Sequence, residues 1–120
     1  MHRRESQKTS NIVRTLCQFF LLRGGDELHI LVQPNDEYSL IDISGKVNVS
    51  EQEIQEIEQA FNQAKTSEME YYYDDLISTD LQDNELNLLG QMTDDHSVTF
   101  SDSKLNIIVK RYYREDEGML

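Results

Sequence analysis

Asp94, Asp95 and His96 stand in a row, three side chains of the types that bind metal ions. Consecutive residues on an extended chain point to alternate sides, so three in sequence rarely converge on one ion, and an Asp-Asp pair ahead of a strand reads as an ordinary turn. Asp74 and Asp75 are read in the same way, and no metal site is expected. His29 falls on the polar side of an alternating stretch with no second ligand nearby, and reads as a solvated strand residue. Cys17 is the only cysteine, which excludes an intrachain disulfide and a cysteine-cluster metal site. It sits within an apolar helical pattern and reads as a small buried hydrophobe rather than a nucleophile. No serine, cysteine and histidine arrangement supplies an activated nucleophile, and neither a phosphate loop ending in GK[ST] nor a Rossmann glycine motif occurs.

The elements that would carry these residues can be read from periodicity. Thr9 or Ser10 can cap a helix running to about Arg23, with Ile12, Val13, Leu16, Cys17, Phe19 and Phe20 forming a wide apolar stripe. Arg23 and Gly24 are the expected C-terminal signals, a cation for the carbonyl end and a glycine for the left-handed turn that closes it. From Glu27 the period becomes two, with Leu28, Ile30 and Val32 on one side; Pro34, Asn35 and Asp36 supply a turn, and Tyr38–Ile43 alternates again. Ser50 and Glu53 form a capping box, and Val49 and Ile54 occupy the positions of a hydrophobic staple, so a helix is expected from there through Ile57, Phe61 and Ala64. Residues 66–80 alternate in part as a strand would, but their helical spacing of Met69, Tyr72, Tyr73, Leu76 and Ile77 makes a short helix the expectation. Tyr71, Tyr72 and Tyr73 cannot all point inward, so with Asp74 and Asp75 they are candidate partner contacts, against the plainer reading that all three pack at the core edge. Asp80 or Asp83 can cap a helix ending near Thr93, and strands at Ser97–Ser101 and Leu105–Tyr113 close the chain.

These elements fit one domain of 120 residues, long enough for a single core. Residues 1–8 are expected to be a flexible, basic arm, residues 9–114 the domain and residues 115–120 a flexible tail. The expected fold is an α+β two-layer sandwich, a mixed or antiparallel sheet of four to five strands with the helices on one face.

Charge narrows the partners. The net charge is -12, and it is uneven: residues 1–25 carry five basic and one acidic side chain, residues 26–95 carry eighteen acids against Lys46 and Lys65, and residues 96–120 balance. An acidic middle repels phosphate backbones, so nucleic acid is not an expected partner; solubility is one reading of the acidity and a basic protein partner another. The longest apolar run, Phe19–Leu22, is too short to span a bilayer and the N-terminus lacks an apolar signal core, so the chain reads as cytoplasmic with no membrane contact.

The element order, together with DELHILVQPNDEYSLIDIS, the SEQEIQEIEQAF helix and the closing ELNLLGQMTDDHSVTFSDSKLNIIVKRY, resembles the ATP-binding domain shared by sensor histidine kinases and anti-sigma-factor serine kinases, the GHKL or Bergerat fold. The resemblance covers most of the chain apart from residues 66–80, which would correspond to the family's variable lid. It implies a cleft between the first helix and the glycine motif, and this sequence departs from the family there. The family's magnesium-holding asparagine is replaced by Phe19, which cannot coordinate a hard cation. The adenine-binding aspartate of D-x-G-x-G falls at Ser44, with Lys46 and Asn48 in place of the glycines; Asp42 lies two residues too early, and strand alternation is expected to send it elsewhere. The later phosphate loop is replaced by DLQDNELN, where carboxylates already occupy the place of a polyphosphate.

The resemblance with these losses implies a non-catalytic bacterial regulatory protein without a cofactor, which docks to a kinase, an anti-sigma factor or an antagonist, with a homodimer also compatible. The alternatives are a small-ligand-binding or enzymatic domain whose remodelled cleft is lined by Phe19, Arg23, Ser44 and Lys46, and a stand-alone acidic interaction module.

Overall fold

The structure, a computed structural model, describes residues 3–62 and 85–114. Tyr71, Tyr72, Tyr73, Asp74 and Asp75, the expected helix within residues 66–80 and the tail 115–120 lie outside the described residues. The elements are α1 (Arg3–Leu22), β1 (Asp26–Pro34), β2 (Tyr38–Lys46), α2 (Glu51–Phe61), α3 (Glu85–Met92), β3 (Asp95–Ser101) and β4 (Lys104–Tyr112).

Both expected helix signals act as their residue types require. α1 ends with Gly24 at φ +73°, while the Gly25 amide donates to the Phe20 carbonyl at 2.9 Å and the Gly24 amide to the Leu21 carbonyl at 3.2 Å. This is the paired closure that a left-handed glycine permits. At α2 the Ser50 hydroxyl accepts from the Glu53 amide at 3.1 Å and Glu53 Oε1 accepts from the Ser50 amide at 3.3 Å, completing the capping box. In the β1–β2 hairpin, Asn35 Oδ1 accepts from the amides of Glu37 and Tyr38, and the Asn35 amide donates to the Tyr38 carbonyl.

The four strands form one antiparallel sheet in the order β1-β2-β4-β3. Ile41, Ile43, Leu105, Ile107 and Val109 point to the side that the helices cover, and with Ile12, Leu16, Phe19, Phe20, Ile57, Phe61, Leu89 and Met92 they make the core. The architecture is therefore the α+β two-layer sandwich, with four strands, all antiparallel, and the helices on one face. None of the described helices is long and apolar enough to cross a membrane.

The start of α1 differs from the expectation. The helix begins at Arg3 rather than at Thr9 or Ser10, so residues 3–8 are not a loose arm. Glu5 and Lys8 are buried on the same face as Ile12 and Leu16. The partner of Glu5 is Arg111 of β4, fully buried, with Nε 2.8 Å from Oε1 and Nη2 3.1 Å from Oε2. Reading charged residues as solvated hid both: Arg111 continues the inward register of Leu105, Ile107 and Val109, and a carboxylate one helix away makes that burial tolerable.

Gly90 sets how closely α3 meets α2. A Cβ at Gly90 would lie 1.9 Å from the Ala60 carbonyl oxygen, so the helices meet backbone to backbone and one of them must move for any larger residue. Gly90→Ala gains about 1 kcal/mol of helix propensity but overpacks a fixed backbone contact at about 1–3 kcal/mol. The net expectation is destabilisation, read as a lower urea midpoint with an unchanged slope; a raised midpoint would contradict the close contact.

Candidate functional site

The place where a nucleotide cleft was expected lies where the end of α1 meets the loop before α2. Phe19 is completely buried there. The Arg23 guanidinium carbon sits 3.7 Å from the centre of its ring, and Arg23 Nη1 donates to the Phe19 carbonyl at 3.1 Å. Arg23 Nε in turn lies 3.2 Å from Glu53 Oε2. One carboxylate thus caps α2 with one oxygen and holds the end of α1 with the other. The loop is tied down as well, since the Asn48 amide donates to the Arg23 carbonyl at 2.8 Å. The Asn48 side chain lies 3.0 Å from where a Cβ on Gly24 would be. A cation over a ring, an ion pair and a backbone bond fill the junction with protein groups.

Ser44 and Lys46 do not join this cluster. Ile43 faces the helices, so Asp42 and Ser44 on either side of it face away, onto the side of the sheet opposite the described helices. The expectation that alternation would separate Asp42 from the Ser44 position is corrected by the strand's own period of two, which puts residues two apart on one face. Asp42 is engaged there by Asn106, whose Nδ2 donates to Asp42 Oδ1 at 2.7 Å and to the Ile43 carbonyl at 3.1 Å. Lys46 is exposed at the end of β2 and borders a shallow recess of about 200 Å³ with Asp26, Glu27, His29, Gly45 and Lys104. Phe19 and Arg23 are together; Ser44 and Lys46 are elsewhere. The four do not line one cleft.

The metal-type residues also part. Asp94 Oδ2 accepts from the Tyr112 amide and from Arg114 Nη1, both at 2.7 Å, and Asp95 is exposed. His96 turns to the helices, where its ring stacks on Phe61 at 5.0 Å between centroids and Nε2 lies 3.4 Å from Glu58 Oε2. Among the described residues no group of three or more histidine, cysteine or acidic side chains is placed to hold a metal ion. His29 is exposed, 3.5 Å from the Glu27 carboxylate. Cys17 is half-buried rather than buried, because it lies on the flank of α1 beside Val13 and Leu21. That flank borders an open recess of about 560 Å³.

A feature that side-chain chemistry did not flag is the edge of the sheet. β1 is exposed along nearly its whole length, with Ile30, Leu31 and Val32 at 42%, 48% and 39% exposure. Ile30 and Val32 share the face of their register partners Ile43 and Ile41, which are fully buried, so among the described residues the helix layer reaches β1 at Leu28 but stops short of Ile30 and Val32. The alternation of Leu28, Ile30 and Val32 signalled a strand with a covered side. Pro34, read from the sequence as a turn residue, is the last residue of the strand, where a proline is tolerated because β1 stands at an edge.

No family model, curated protein or solved structure matches the chain.

The junction predicts the behaviour of its central ring. Phe19→Ala is expected to cost about 3–5 kcal/mol as a core truncation, measured by urea denaturation. A change below about 1 kcal/mol would show that the ring is not part of the core.

Proposed function

We propose that this chain is a non-catalytic regulatory domain that acts by docking to a protein, on the scaffold of the histidine-kinase-type ATPases but without their nucleotide site. The observation that carries the reading is the junction of Phe19, Arg23 and Glu53. ATP held through magnesium needs an oxygen or nitrogen ligand on the first helix and open backbone amides at the loop. Here that helix position is a buried phenyl ring, covered by a guanidinium that is itself ion-paired across to α2.

The sequence of elements supports the scaffold half of the proposal: a helix closed by a glycine pair, a hairpin, a capped helix, then a closing helix and hairpin. The acidity of the middle of the chain supports the docking half, because an acidic surface steers basic protein partners and repels nucleic acid. In this reading the domain works in the bacterial cytoplasm, in signalling or sigma-factor control, with a kinase, an anti-sigma factor or its antagonist as partner. The remodelled-cleft alternative receives no support from the placement of Ser44 and Lys46, which face away from Phe19.

Calorimetric titration with ATP and ADP in magnesium buffer, beside a thermal melt, tests the proposal. No heat of binding and no shift in melting temperature are expected. Micromolar binding of either nucleotide would contradict it and restore an ATPase or kinase reading.

A further inference from the structure

The open edge of β1 is the part of the surface whose chemistry specifies an occupant, and the inference rests on the docking reading above. In an antiparallel pair, residues alternate between those that bond to the neighbouring strand and those whose N–H and C=O point away from it. The Asn35 amide bonds to the Tyr38 carbonyl, so by alternation through the register His29, Leu31 and Gln33 bond inward to β2. Ile30, Val32 and Pro34 turn their backbone outward. Proline, which lacks an N–H, stands at one of the outward positions, where its loss costs the ladder nothing.

Sheet edges are commonly guarded by bulges, prolines or charges. β1 has a bulge between Asp26 and His29 and a proline at its end, and between them the window His29–Gln33 carries three exposed aliphatic residues and no Lys, Arg, Asp or Glu. The other edge, β3, differs. His96 packs onto α2, Val98 and Phe100 pack against the core, and the outward face is Asp95, Ser97, Thr99 and Ser101.

Charge names the occupant. Asp26 and Glu27 flank the window on one side, Asp36 and Glu37 on the other, all four are exposed, and no Lys or Arg lies between Asp26 and Glu37. Lys46 lies across from Asp26 in the register and Lys104 shares a recess with Asp26 and Glu27, and Lys110 lies over the Tyr38 ring beside the Asp36–Glu37 end; these lysines stand on β2 and β4, behind β1, and not on its open edge. A second copy pairing through the same edge would set acids against acids in either strand direction. We infer that β1 is a strand-addition site for an extended peptide of a partner protein, apolar in its centre and basic on both flanks. The backbone of Ile30 and Val32 supplies the hydrogen bonds, and the acids fix the register.

The test uses the full chain, isotope-labelled, titrated with a panel of synthetic peptides of about nine residues that carry alternating Val, Ile, Thr and Tyr centres between lysine pairs, and with twins carrying glutamate pairs. Lysine-flanked peptides are expected to bind and to shift the amide signals of Ile30 and Val32, with the glutamate twins at least about tenfold weaker. Val32→Pro removes an outward N–H and leaves the inward ladder in place, and Leu31→Lys puts a guarding charge on an exposed position; each is expected to weaken binding by about tenfold or more at an unchanged melting temperature. No binding across the panel, equal binding of the twins, or binding unaffected by both variants would overturn the site. A dimer in sedimentation that Val32→Pro dissolves would assign the edge to a second copy and overturn the basic peptide. Nucleotide titration of the same sample is independent of all these outcomes: ATP binding with edge binding intact removes the non-catalytic reading alone, and silence to ATP with no edge binding removes the strand-addition site alone.

Discussion

Arg111 is the side chain on which the two layers depend. It is fully buried, rises from β4 on the helix side of the sheet, grips both oxygens of Glu5 on α1 and donates through Nη1 to the Met92 carbonyl at the end of α3, 2.9 Å away. α3 has no basic residue in its last turn, so its carbonyl end takes a cation from the sheet instead. Three elements distant in sequence are bound at one guanidinium. Breaking a buried pair of this kind costs about 3–5 kcal/mol, because the remaining charge is stranded away from water, and small domains have only about 5–15 kcal/mol in total. The fork geometry also fixes orientation, which apolar contacts alone do not.

A second tie stands at the opposite end of α1. Glu53 joins α2 to Arg23, and the Asn48 backbone joins the loop to the same turn. With α1 pinned at both ends, its buried stripe from Ile12 to Phe20 lies over the centre of the sheet. Among the described residues the helix layer does not cover Ile30 and Val32 of β1, so the same placement that fills the junction of Phe19 and Arg23 leaves that stretch open. A filled junction and an open edge both go with where α1 is held.

Much of this was legible in the sequence. The glycine stop at Gly24, the capping box of Ser50 and Glu53 and the period-two runs around Ile41 and Ile107 are local signals, and local signals survive folding because neighbouring residues satisfy them. What could not be read were properties set by distant partners. Glu5, Lys8 and Arg111 look solvated until the helix and strand that bury them are brought together. Gly90 looks like a flaw in a helix until Ala60 is beside it. Motif counting assigns Ser44 to a cleft, although strand parity ties it to Asp42 and the face opposite the described helices. β1 has the pattern of a half-buried strand, and Pro34 reads as part of the turn until the strand order places it at the end of an edge strand.

Amide hydrogen exchange, followed residue by residue by NMR, tests most directly whether the domain is a clamped scaffold with an open edge at β1. The amides of Leu31 and Gln33, bonded inward to β2, should exchange slowly, together with those of the β2–β4 ladder, while the alternating amides of Ile30 and Val32 should exchange nearly as fast as unstructured chain. Protection of Ile30 and Val32 equal to that of Leu31 would mean that the edge is already covered, and would contradict the account.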